Sequence, residues 1–550
     1  MSTPYLDIIQ KAIQAIRERQ YYAEYPEHPK AYGEEAPQKG LEAWQAAQGK
    51  PFAGLLQADP KEWLGEEVSP YSGQPLGITY PVWDTETLVQ RAVQAGKSWR
   101  NCSIDDRAAI LVEALNGVKD RFFELAHATQ HTTGQSFMMS FQASGPHAND
   151  RALEALACGY EELKRFPSAL TWVKPMGKAE LRLEKSWKPV PKGVAVVIGC
   201  STFPTWNSVP GLFASMVTGN PVLVKPHPRA IYPIALVVAE IQKALVAHGQ
   251  SADCCQLAAD TSAAPITKTL CEHPAVKIID YTGGSAFGNY VESLPGKTTF
   301  TEKAGINSVI LDSCPDLKAV VQNISFSVSL YSGQMCTAPQ NIFIPAGGIE
   351  TAAGHVSYED VVKAISGGIA FFGSDPKMGP GTLGAIQNEQ TLTRVQQAQD
   401  AGCQVLLHAQ PVTHPDFPSA RSCSHVLLET DASQMDTFEK EWFGPIVVIV
   451  KTQDTNQSVA LAKSLAEKHG AITCLAFSTN EETANHIISE MEQVFVPVSL
   501  NLGGMAFVNQ HASFSDFHVT GGNPAGNASF TNPEYVNKRF VWVGHRVFKG

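Results

Sequence analysis

The chain has 550 residues, of which 44% are hydrophobic and 17% charged, and its formal net charge is −11. This length exceeds what a single hydrophobic core supports, so two large lobes are expected. The acidic balance argues against a nucleic-acid scaffold, which needs a basic face, and no apolar run reaches the roughly 20 residues of a membrane span.

The eleven cysteines are odd in number and scattered along the chain, and Met1 is not followed by the pattern of a secretory signal. These features favour a reducing, cytoplasmic location over a disulfide framework. Since the chain has no CxxC pair and no HExxH motif, no metal site is predicted.

Residues 1–75 are predicted to be an N-terminal extension that wraps around the rest of the chain. Apolar residues at Leu6, Ile9, Ile13 and Ile16 recur at helical spacing, and the pattern becomes irregular after Arg19. Helical spacing returns in residues 85–119 and again in residues 122–166. These helices precede the part of the chain where strands begin.

Two isolated stretches have the alternation of β-strands. Residues 171–188 alternate apolar and polar side chains around a turn at Gly177, which predicts a protruding hairpin, and residues 539–544 predict a last strand. Neither has a core of its own to pack against, so we expect the two to pair across a subunit interface. Residues 171–188 and 528–550 are therefore predicted to be the oligomerisation elements of a homodimer or tetramer.

The densest organisation begins at Pro191, where apolar strands alternate with helices. Residues 194–198, 221–225 and 276–279 predict strands, and residues 209–218, 231–248 and 286–294 predict the helices between them. The second half of the chain repeats this alternation of strands and helices from residue 307 onward. Such alternation with short connections predicts an α/β fold of two doubly wound parallel-sheet lobes. The predicted domains are a cofactor-binding domain (residues 76–170 and 189–303) and a catalytic domain (residues 304–515).

Ligands of open parallel sheets gather at the carboxyl ends of the strands. Lys225 ends one predicted strand, and Gly283, Gly284 and Ser285 follow another and open a helix whose N–H groups suit a phosphate. A cation beside small residues at a helix N-terminus suggests a dinucleotide. The stretch lacks a G-x-G-x-x-G fingerprint, so a solvated strand-end lysine is an alternative for Lys225.

The chain's candidate nucleophile is Cys336, which lies in Gly333-Gln334-Met335-Cys336 after a segment of β-formers and serines at 325–332. A lone cysteine is more often a small core residue. Glu302, predicted to lie in a loop, is by itself a surface carboxylate. Together the two fit a division of labour in which a thiol attacks a carbonyl and a carboxylate activates water to hydrolyse the resulting thioester.

Several motifs in order resemble the aldehyde dehydrogenase superfamily from about Leu76 to Arg546. The matching motifs are Pro191-Lys-Gly-Val194, Phe203-Pro204, Gly219-Asn220 with Lys225-Pro226, Thr282-Gly283, Glu302 with Gly305, Gly333-Gln334-x-Cys336 and Glu441-x-Phe443-Gly-Pro445. Each motif alone is a weak indication of the superfamily, but all of them in this order are specific for it.

The resemblance implies an aldehyde dehydrogenase-like fold and a role for each matched residue. Cys336 would attack the aldehyde, and Glu302 would activate the water that cleaves the thioester. The implied cofactor residues are Lys225 and Glu441 for the two riboses, Phe443 beside the nicotinamide, and Gly283, Gly284 and Ser285 at the pyrophosphate.

Two departures from the family pattern bear on the chemistry. Thr202 stands where the family has the asparagine of its oxyanion hole, and a lost donor of this kind costs about 3–4 kcal/mol of transition-state stabilisation. Pro228 stands where NAD-preferring members carry a ribose-binding carboxylate, with His227 and Arg229 adjacent. The resemblance therefore implies NADP as the cofactor, with NAD as an alternative.

Within the superfamily the chain resembles the PaaN-type proteins of bacterial phenylacetic acid degradation, through Tyr25-Pro-Glu-His-Pro29 and the tail from Phe517 to Asn527. That resemblance implies a ring-opening semialdehyde dehydrogenase acting on a CoA-linked aldehyde. Two alternatives stay open. In one the enzyme is CoA-acylating, although Glu302 counts against this, and in the other the chain is a non-catalytic scaffold, which Thr202 favours.

Overall fold

The computed structural model describes residues 3–508 and 513–549, so the predicted ranges 1–75, 304–515 and 528–550 each include a few residues outside this part. None of the helices in it has the length and apolarity needed to cross a membrane. The helices are α1 (Thr3–Glu18), α2 (Ala36–Ala47), α3 (Thr85–Trp99), α4 (Ile104–Lys119), α5 (Phe122–Thr133), α6 (Phe137–Gln142), α7 (Ala148–Leu163), α8 (Pro204–Val217), α9 (Tyr232–Ala247), α10 (Thr267–Glu272), α11 (Ser285–Glu292), α12 (Leu317–Ser329), α13 (Tyr358–Ser374), α14 (Met378–Leu383), α15 (Glu389–Gln399), α16 (Met435–Phe438), α17 (Thr455–His469), α18 (Glu481–Glu492) and α19 (Pro533–Asn537).

The strands form two parallel sheets and three smaller ones. They are β1 (Glu62–Leu64), β2 (Tyr80–Val82), β3 (Ala169–Met176), β4 (Ala179–Pro191), β5 (Val194–Ile198), β6 (Val222–Lys225), β7 (Cys255–Leu257), β8 (Val276–Thr282), β9 (Thr298–Glu302), β10 (Ser308–Leu311), β11 (Ser313–Cys314), β12 (Asn341–Pro345), β13 (Ile349–Thr351), β14 (Gly354–Val356), β15 (Gln404–Leu407), β16 (Val426–Asp431), β17 (Ile446–Thr452), β18 (Cys474–Phe477), β19 (Val498–Leu500) and β20 (Phe540–Phe548).

The two large sheets confirm the predicted doubly wound α/β fold. The first has the order β7-β6-β5-β8-β9 and is parallel throughout. The second has the order β15-β16-β17-β12-β10-β18-β19 and is parallel except for its edge strand β15. Strands such as β5 and β12 are buried along their whole length, as expected for sheets covered by helices on both faces.

The strand order of the first sheet reverses at β5, which has β6 on one side and β8 on the other. A crevice opens where the order reverses, outside the carboxyl ends of the strands. The segments that leave β5 and β8 at this edge are residues 199–203, which lead into α8, and residues 283–284, which lead into α11. This is the part of the sheet where the sequence predicted a dinucleotide.

The hairpin β3–β4 is confirmed, but its predicted pairing across a subunit interface is wrong. β20 pairs with β4 of the same chain, in antiparallel register from Phe540 opposite Pro191 to Phe548 opposite Leu183. The long β4 has one edge taken by β3 and the other open to β20, so the C-terminal strand finds its partner within the chain. The result is one three-stranded sheet of order β20-β4-β3.

The N-terminal extension is more regular than predicted and joins the main core. The irregular stretch after Arg19 contains the helix α2, which packs on α5, while α1 packs on α7. Ile9 and Ala12 of α1 and Trp44 of α2 are almost fully buried in the same hydrophobic cluster as the first sheet.

Two other predicted elements differ from the structure, and one segment left unassigned is a helix. The β-formers and serines before Cys336 belong largely to α12, where Val320, Ile324 and Val328 recur every four residues and bury one face. Glu302 is not in a loop but ends β9, where the threonines of 298–301 favour a strand that pairs with β8. The helix predicted for 209–218 begins earlier, at Pro204, which suits the first turn of a helix.

Candidate active site

Cys336 lies in the loop between the short 3₁₀ turn Leu330–Gly333 and strand β12. Asn307, just before β10, holds this loop. Its Nδ2 donates to the Cys336 carbonyl at 2.7 Å, and its Oδ1 accepts from the backbone N–H of Ile472 at 2.9 Å. The nucleophile's backbone is therefore tied to two strands of the second sheet.

Gly333 brings this loop against the loop that carries Glu441 and Phe443. Its φ is +64°, and a Cβ at this position would lie 2.4 Å from the carbonyl oxygen of Gly444. Only glycine fits so close a backbone contact in the left-handed region. The close contact between Gly333 and Gly444 thus places the loop of Cys336 against the loop of Glu441 and Phe443.

Glu302 reaches Cys336 from the end of β9 in the first sheet. The side-chain ligand atoms of Glu302, Cys336 and His518 all lie within 4.8 Å of one another. Asn207 Nδ2 donates to Glu302 Oε2 at 2.9 Å, and His518 Nε2 lies 3.2 Å from Oε1. The Glu302 side chain is 2% exposed, so these contacts fix where the carboxylate points.

The electrostatics keep Glu302 ionised and Cys336 protonated. Burial acts to raise the pKa of Glu302, but the charge and hydrogen bond of His518 and a hydrogen bond from Cys336 outweigh it, so the pKa lies below its ordinary value. Burial, followed by the charge of Glu302, raises the pKa of the Cys336 thiol well above its ordinary value. The thiol therefore carries a proton with a hydrogen-bonded acceptor beside it.

The group of Glu302, Cys336 and His518 also consists of residue types that bind Zn²⁺. A metal ion bound there would take the Cys336 sulfur as a ligand, and the thiol would then not be free to act as a nucleophile. The sequence prediction of no metal site stays a prediction.

The Thr202 side chain contacts Cys200. Its hydroxyl lies 3.8 Å from the Cys200 sulfur, and its carbonyl accepts from Gln135 Nε2 at 2.7 Å. Asn207, one turn into α8, lines the cavity at Cys336 with a side-chain amide. The oxyanion role of Thr202 stays a prediction, and in this structure its hydroxyl has another thiol as its partner.

Glu441 and Phe443 share a pocket with Cys336, as the resemblance implied. Burial raises the pKa of Glu441 to about 7, against the opposing charge of Arg394 and a hydrogen bond from the Gly305 backbone. Arg394 Nε also donates to the Phe443 carbonyl at 2.9 Å. A partly buried acid and an aromatic ring beside the thiol fit a nicotinamide ribose and ring.

The N-terminus of α11 fits a pyrophosphate. Gly284 caps the helix, and a Cβ there would meet no atom within 4 Å, which leaves open space beside the first backbone N–H groups of the helix. Ser285 begins the helix, and Gly283 donates its N–H to the Glu302 carbonyl at 3.0 Å. The phosphate end of the crevice is thus joined directly to the strand that carries Glu302.

Lys225 lies at the carboxyl end of β6, where it forms a buried ion pair. Its Nζ is 2.6 Å from Asp260 Oδ1, and both side chains are less than 5% exposed. Burial lowers the pKa of Lys225, while the charges of Asp260 and Glu66 act in the opposite direction. The sequence did not anticipate either carboxylate beside this lysine.

Three residues that complete the site, Asn207, His518 and Asn307, were not predicted as site residues from the sequence. Asn307 and Asn207 lie next to matched motifs, so their positions gave a weak signal. His518 comes from the chain's tail, and it packs against Trp206 with ring centroids 4.7 Å apart. Only its occurrence in the tail that resembles PaaN-type proteins pointed to it.

Together, the two doubly wound sheets and the cysteine–glutamate pair between them are the arrangement expected of a cofactor-dependent enzyme. The comparison with protein families specifies the class. The model of the aldehyde dehydrogenase family matches residues 66–496, and the chain belongs to that family. Its members are NAD(P)-dependent oxidoreductases, so the cofactor is NAD or NADP.

Known relatives cover most of the chain. It is 25% identical over 460 residues to the succinate-semialdehyde dehydrogenase (NADP(+)) of Deinococcus radiodurans, covering 81% of this chain and 87% of that protein. It is 24% identical over 498 residues to the benzaldehyde dehydrogenase (NAD(+)) of Pseudomonas putida, covering 86% and 92%.

Solved structures also match over almost the full length. The crystal structure of an NAD-dependent aldehyde dehydrogenase from Burkholderia multivorans superposes with a TM-score of 0.96 at 41% identity, covering 99% of this chain and 98% of that one. The 1-pyrroline-5-carboxylate dehydrogenase from Thermus with bound NAD superposes at 0.76 with 18% identity, covering 96% and 99%. The second likeness concerns the fold alone.

Proposed function

We propose that the protein oxidises an aldehyde to the free acid with NAD or NADP, through a covalent intermediate on Cys336. The observation that carries this proposal is the contact of Cys336 with the ionised Glu302 in a cavity between the two sheets. We assign the cofactor to the domain of the first sheet and the nucleophile to that of the second. NAD(P), held by Glu441, Phe443 and the N-terminus of α11, supplies the hydride acceptor.

The chain's own residues perform the remaining steps. Cys336 attacks the carbonyl carbon while its proton passes by way of Glu302 to solvent, which leaves the carboxylate ionised again. The Asn207 amide is placed to donate to the developing oxyanion. Glu302 later accepts a proton from the water that cleaves the thioester, which restores the thiol. This order suits a carboxylate that is held ionised and aimed at the sulfur by Asn207 and His518.

The cofactor preference depends on charges around Lys225. Arg229 is exposed beside it and favours the 2′-phosphate of NADP, whereas the carboxylates of Asp260 and Glu66 oppose that phosphate. Burial lowers the pKa of His227 to about 4, so this side chain is neutral and adds no charge. Measuring kcat/KM with NAD and with NADP determines whether Arg229 or the two carboxylates set the cofactor preference.

The substrate we infer from the resemblance to PaaN-type proteins is a CoA-linked semialdehyde of phenylacetate catabolism. In the cell the enzyme would act in the cytoplasm, where its eleven unpaired cysteines stay reduced. The test mixes the purified chain with aldehydes and either cofactor and follows the reduced nicotinamide by absorbance. Formation of free acid supports the proposal, whereas turnover that requires free CoA identifies the CoA-acylating reaction instead.

The sheet β20-β4-β3 predicts a homodimer or a larger assembly. It exposes large apolar side chains on both of its faces, more than a monomer usually leaves uncovered. By the strand register, Val173, Val541, Val543 and Val547 lie on one face and Leu170, Met176 and Phe548 on the other. Light scattering of the full chain is expected to give at least twice the 59.4 kDa of one chain. The double variant Val541→Lys/Val543→Lys is expected to dissociate, and a monomeric parent protein would contradict the interface.

His518 is predicted to set the acid limb of the pH–rate profile. The pKa of Glu302 is lowered in part by His518, and only the carboxylate form accepts a proton, so activity falls as the pH drops through that pKa. His518→Gln removes this interaction, which raises the pKa of Glu302 and moves the acid limb of kcat to higher pH. His469→Gln, at a surface pair with Glu439, is the matched control. An acid limb that His518→Gln leaves unmoved would refute this role.

A further inference from the structure

A cavity of about 360 Å³ leads from the surface to the catalytic thiol. Cys336, Asn207 and His518 line its deep end, and His518 is only 2% exposed. Tyr21 and Met138 also line it and are 69% and 47% exposed, so they mark its mouth. An aldehyde that reaches Cys336 from the side opposite the Glu441 pocket passes through this space.

One wall of the cavity comes from the N-terminal extension, through residues 21–27. The wall is anchored to α7 and to the π-helical turn Ala143–His147 that precedes it. The Glu24 N–H donates to Asp150 Oδ1 at 3.2 Å, and Glu27 Oε2 lies 2.8 Å from His147 Nε2. Tyr25 is 2% exposed and packs edge-on against Phe122. The segment is therefore a fixed part of the cavity.

The described lining is mainly apolar and aromatic, with no lysine or arginine among the residues the structure describes there. The aromatic members are Tyr21, Tyr22, Tyr25, Phe203, Trp206, Phe326 and Phe507. Its acidic members are Glu27 and Asp150, and burial raises the pKa of Asp150 well above its ordinary value. Its two histidines already face carboxylates, His147 that of Glu27 and His518 that of Glu302. A carboxylate entering this space loses its water and meets no lysine or arginine among the described lining residues, whereas an apolar group gains by burial.

We propose that segment 21–27 forms the specificity wall of the substrate cavity and that the cavity selects aldehydes whose reactive end is uncharged and apolar, an aromatic ring included. This specificity rests on the aldehyde oxidation proposed above. It gives the N-terminal extension a role in substrate choice. A phosphate or carboxylate elsewhere on the substrate would have to remain outside the mouth.

The first test compares kcat/KM for benzaldehyde and succinate semialdehyde with the full chain. The expected result is a preference for benzaldehyde of about tenfold or more, as is usual when a site lacks the partner of a substrate's polar group. Met138→Arg adds a cation at the mouth and is expected to shift the ratio toward succinate semialdehyde by about two- to fivefold. Val246→Arg, equally exposed at 49% on α9 and not part of the lining, should leave the ratio unchanged.

A second test addresses the wall itself. Tyr22→Ala is expected to lower kcat/KM for benzaldehyde by about tenfold with little effect on succinate semialdehyde, while Tyr22→Phe keeps the ring and serves as the control. Equal kcat/KM for the two aldehydes, or the same ratio in Met138→Arg and Val246→Arg, would overturn the proposal.

A binding measurement separates this inference from the proposed function. Benzamide and succinamate are unreactive analogues of the two aldehyde classes, and a bound analogue slows alkylation of Cys336 by iodoacetamide. Protection by benzamide and not by succinamate supports the cavity's selectivity even if neither aldehyde is oxidised, a result that would count against the proposed function alone. Equal protection, or none, would count against the cavity's selectivity.

Discussion

Replacing Cys336 with alanine is expected to abolish aldehyde oxidation, with kcat/KM falling by a factor on the order of 10⁴ or more. Without the thiol no covalent intermediate forms, and neither Asn207 nor Glu302 can substitute for the nucleophile. The change removes one atom from a site whose backbone is held by Asn307, so the fold should persist. Steady-state absorbance of reduced nicotinamide measures the loss.

Cys403→Ala is the matched control for this experiment, because Cys403 is also a free, partly exposed thiol and lies outside the described lining of both pockets at Cys336. Its activity should equal that of the parent. Activity retained in Cys336→Ala would mean that another group attacks the carbonyl, and the proposed mechanism would be wrong.

The second large effect is expected for Glu302→Gln. The amide keeps the shape of the carboxylate but accepts no proton, so thioester hydrolysis should slow by about 10²–10⁴-fold, the usual contribution of a general base. Formation of the thioester should be affected less, because the amide accepts no proton from Cys336 but also lacks the negative charge that raises the pKa of this thiol. Rapid mixing with aldehyde and cofactor is therefore expected to give a burst close to one equivalent of reduced nicotinamide, followed by a stall.

Hydroxylamine offers a sharp control for the Glu302 variant, because this nucleophile attacks a thioester without a base. It should restore turnover in Glu302→Gln, and Glu439→Gln, at a surface ion pair with Lys468, should behave like the parent. Steady-state activity unchanged in Glu302→Gln would exclude Glu302 as the base for deacylation.

Much of the fold was predictable because its signals are local. Continuous apolar runs such as 194–198 identified the buried parallel strands, and Cys336 and Glu302 lie within motifs that can be read from a few neighbouring residues. No element was predicted where the local signal was ambiguous. The β-branched residues of 320–328 suit either a strand or the buried face of a helix, and tertiary packing on α13 decides for the helix.

The missed parts of the site depend on contacts between distant segments. His518 joins Glu302 only because the tail returns to the first sheet, where Gly526 forms a β-bridge with Glu302 itself. Asp260 and Glu66 approach Lys225 from two further segments. The same limit applies to β20, whose partner β4 is fixed by the completed fold and not by its own sequence.

The measurement that tests the central claim most directly is mass spectrometry of Glu302→Gln quenched in acid after mixing with aldehyde and NAD(P). We predict that the peptide that contains Cys336 gains the mass of the aldehyde less two hydrogens, as a thioester requires, in the same amount as the nicotinamide reduced in the burst. Reduced nicotinamide without any label on Cys336, or a label on Cys200 in its place, would contradict the proposed mechanism.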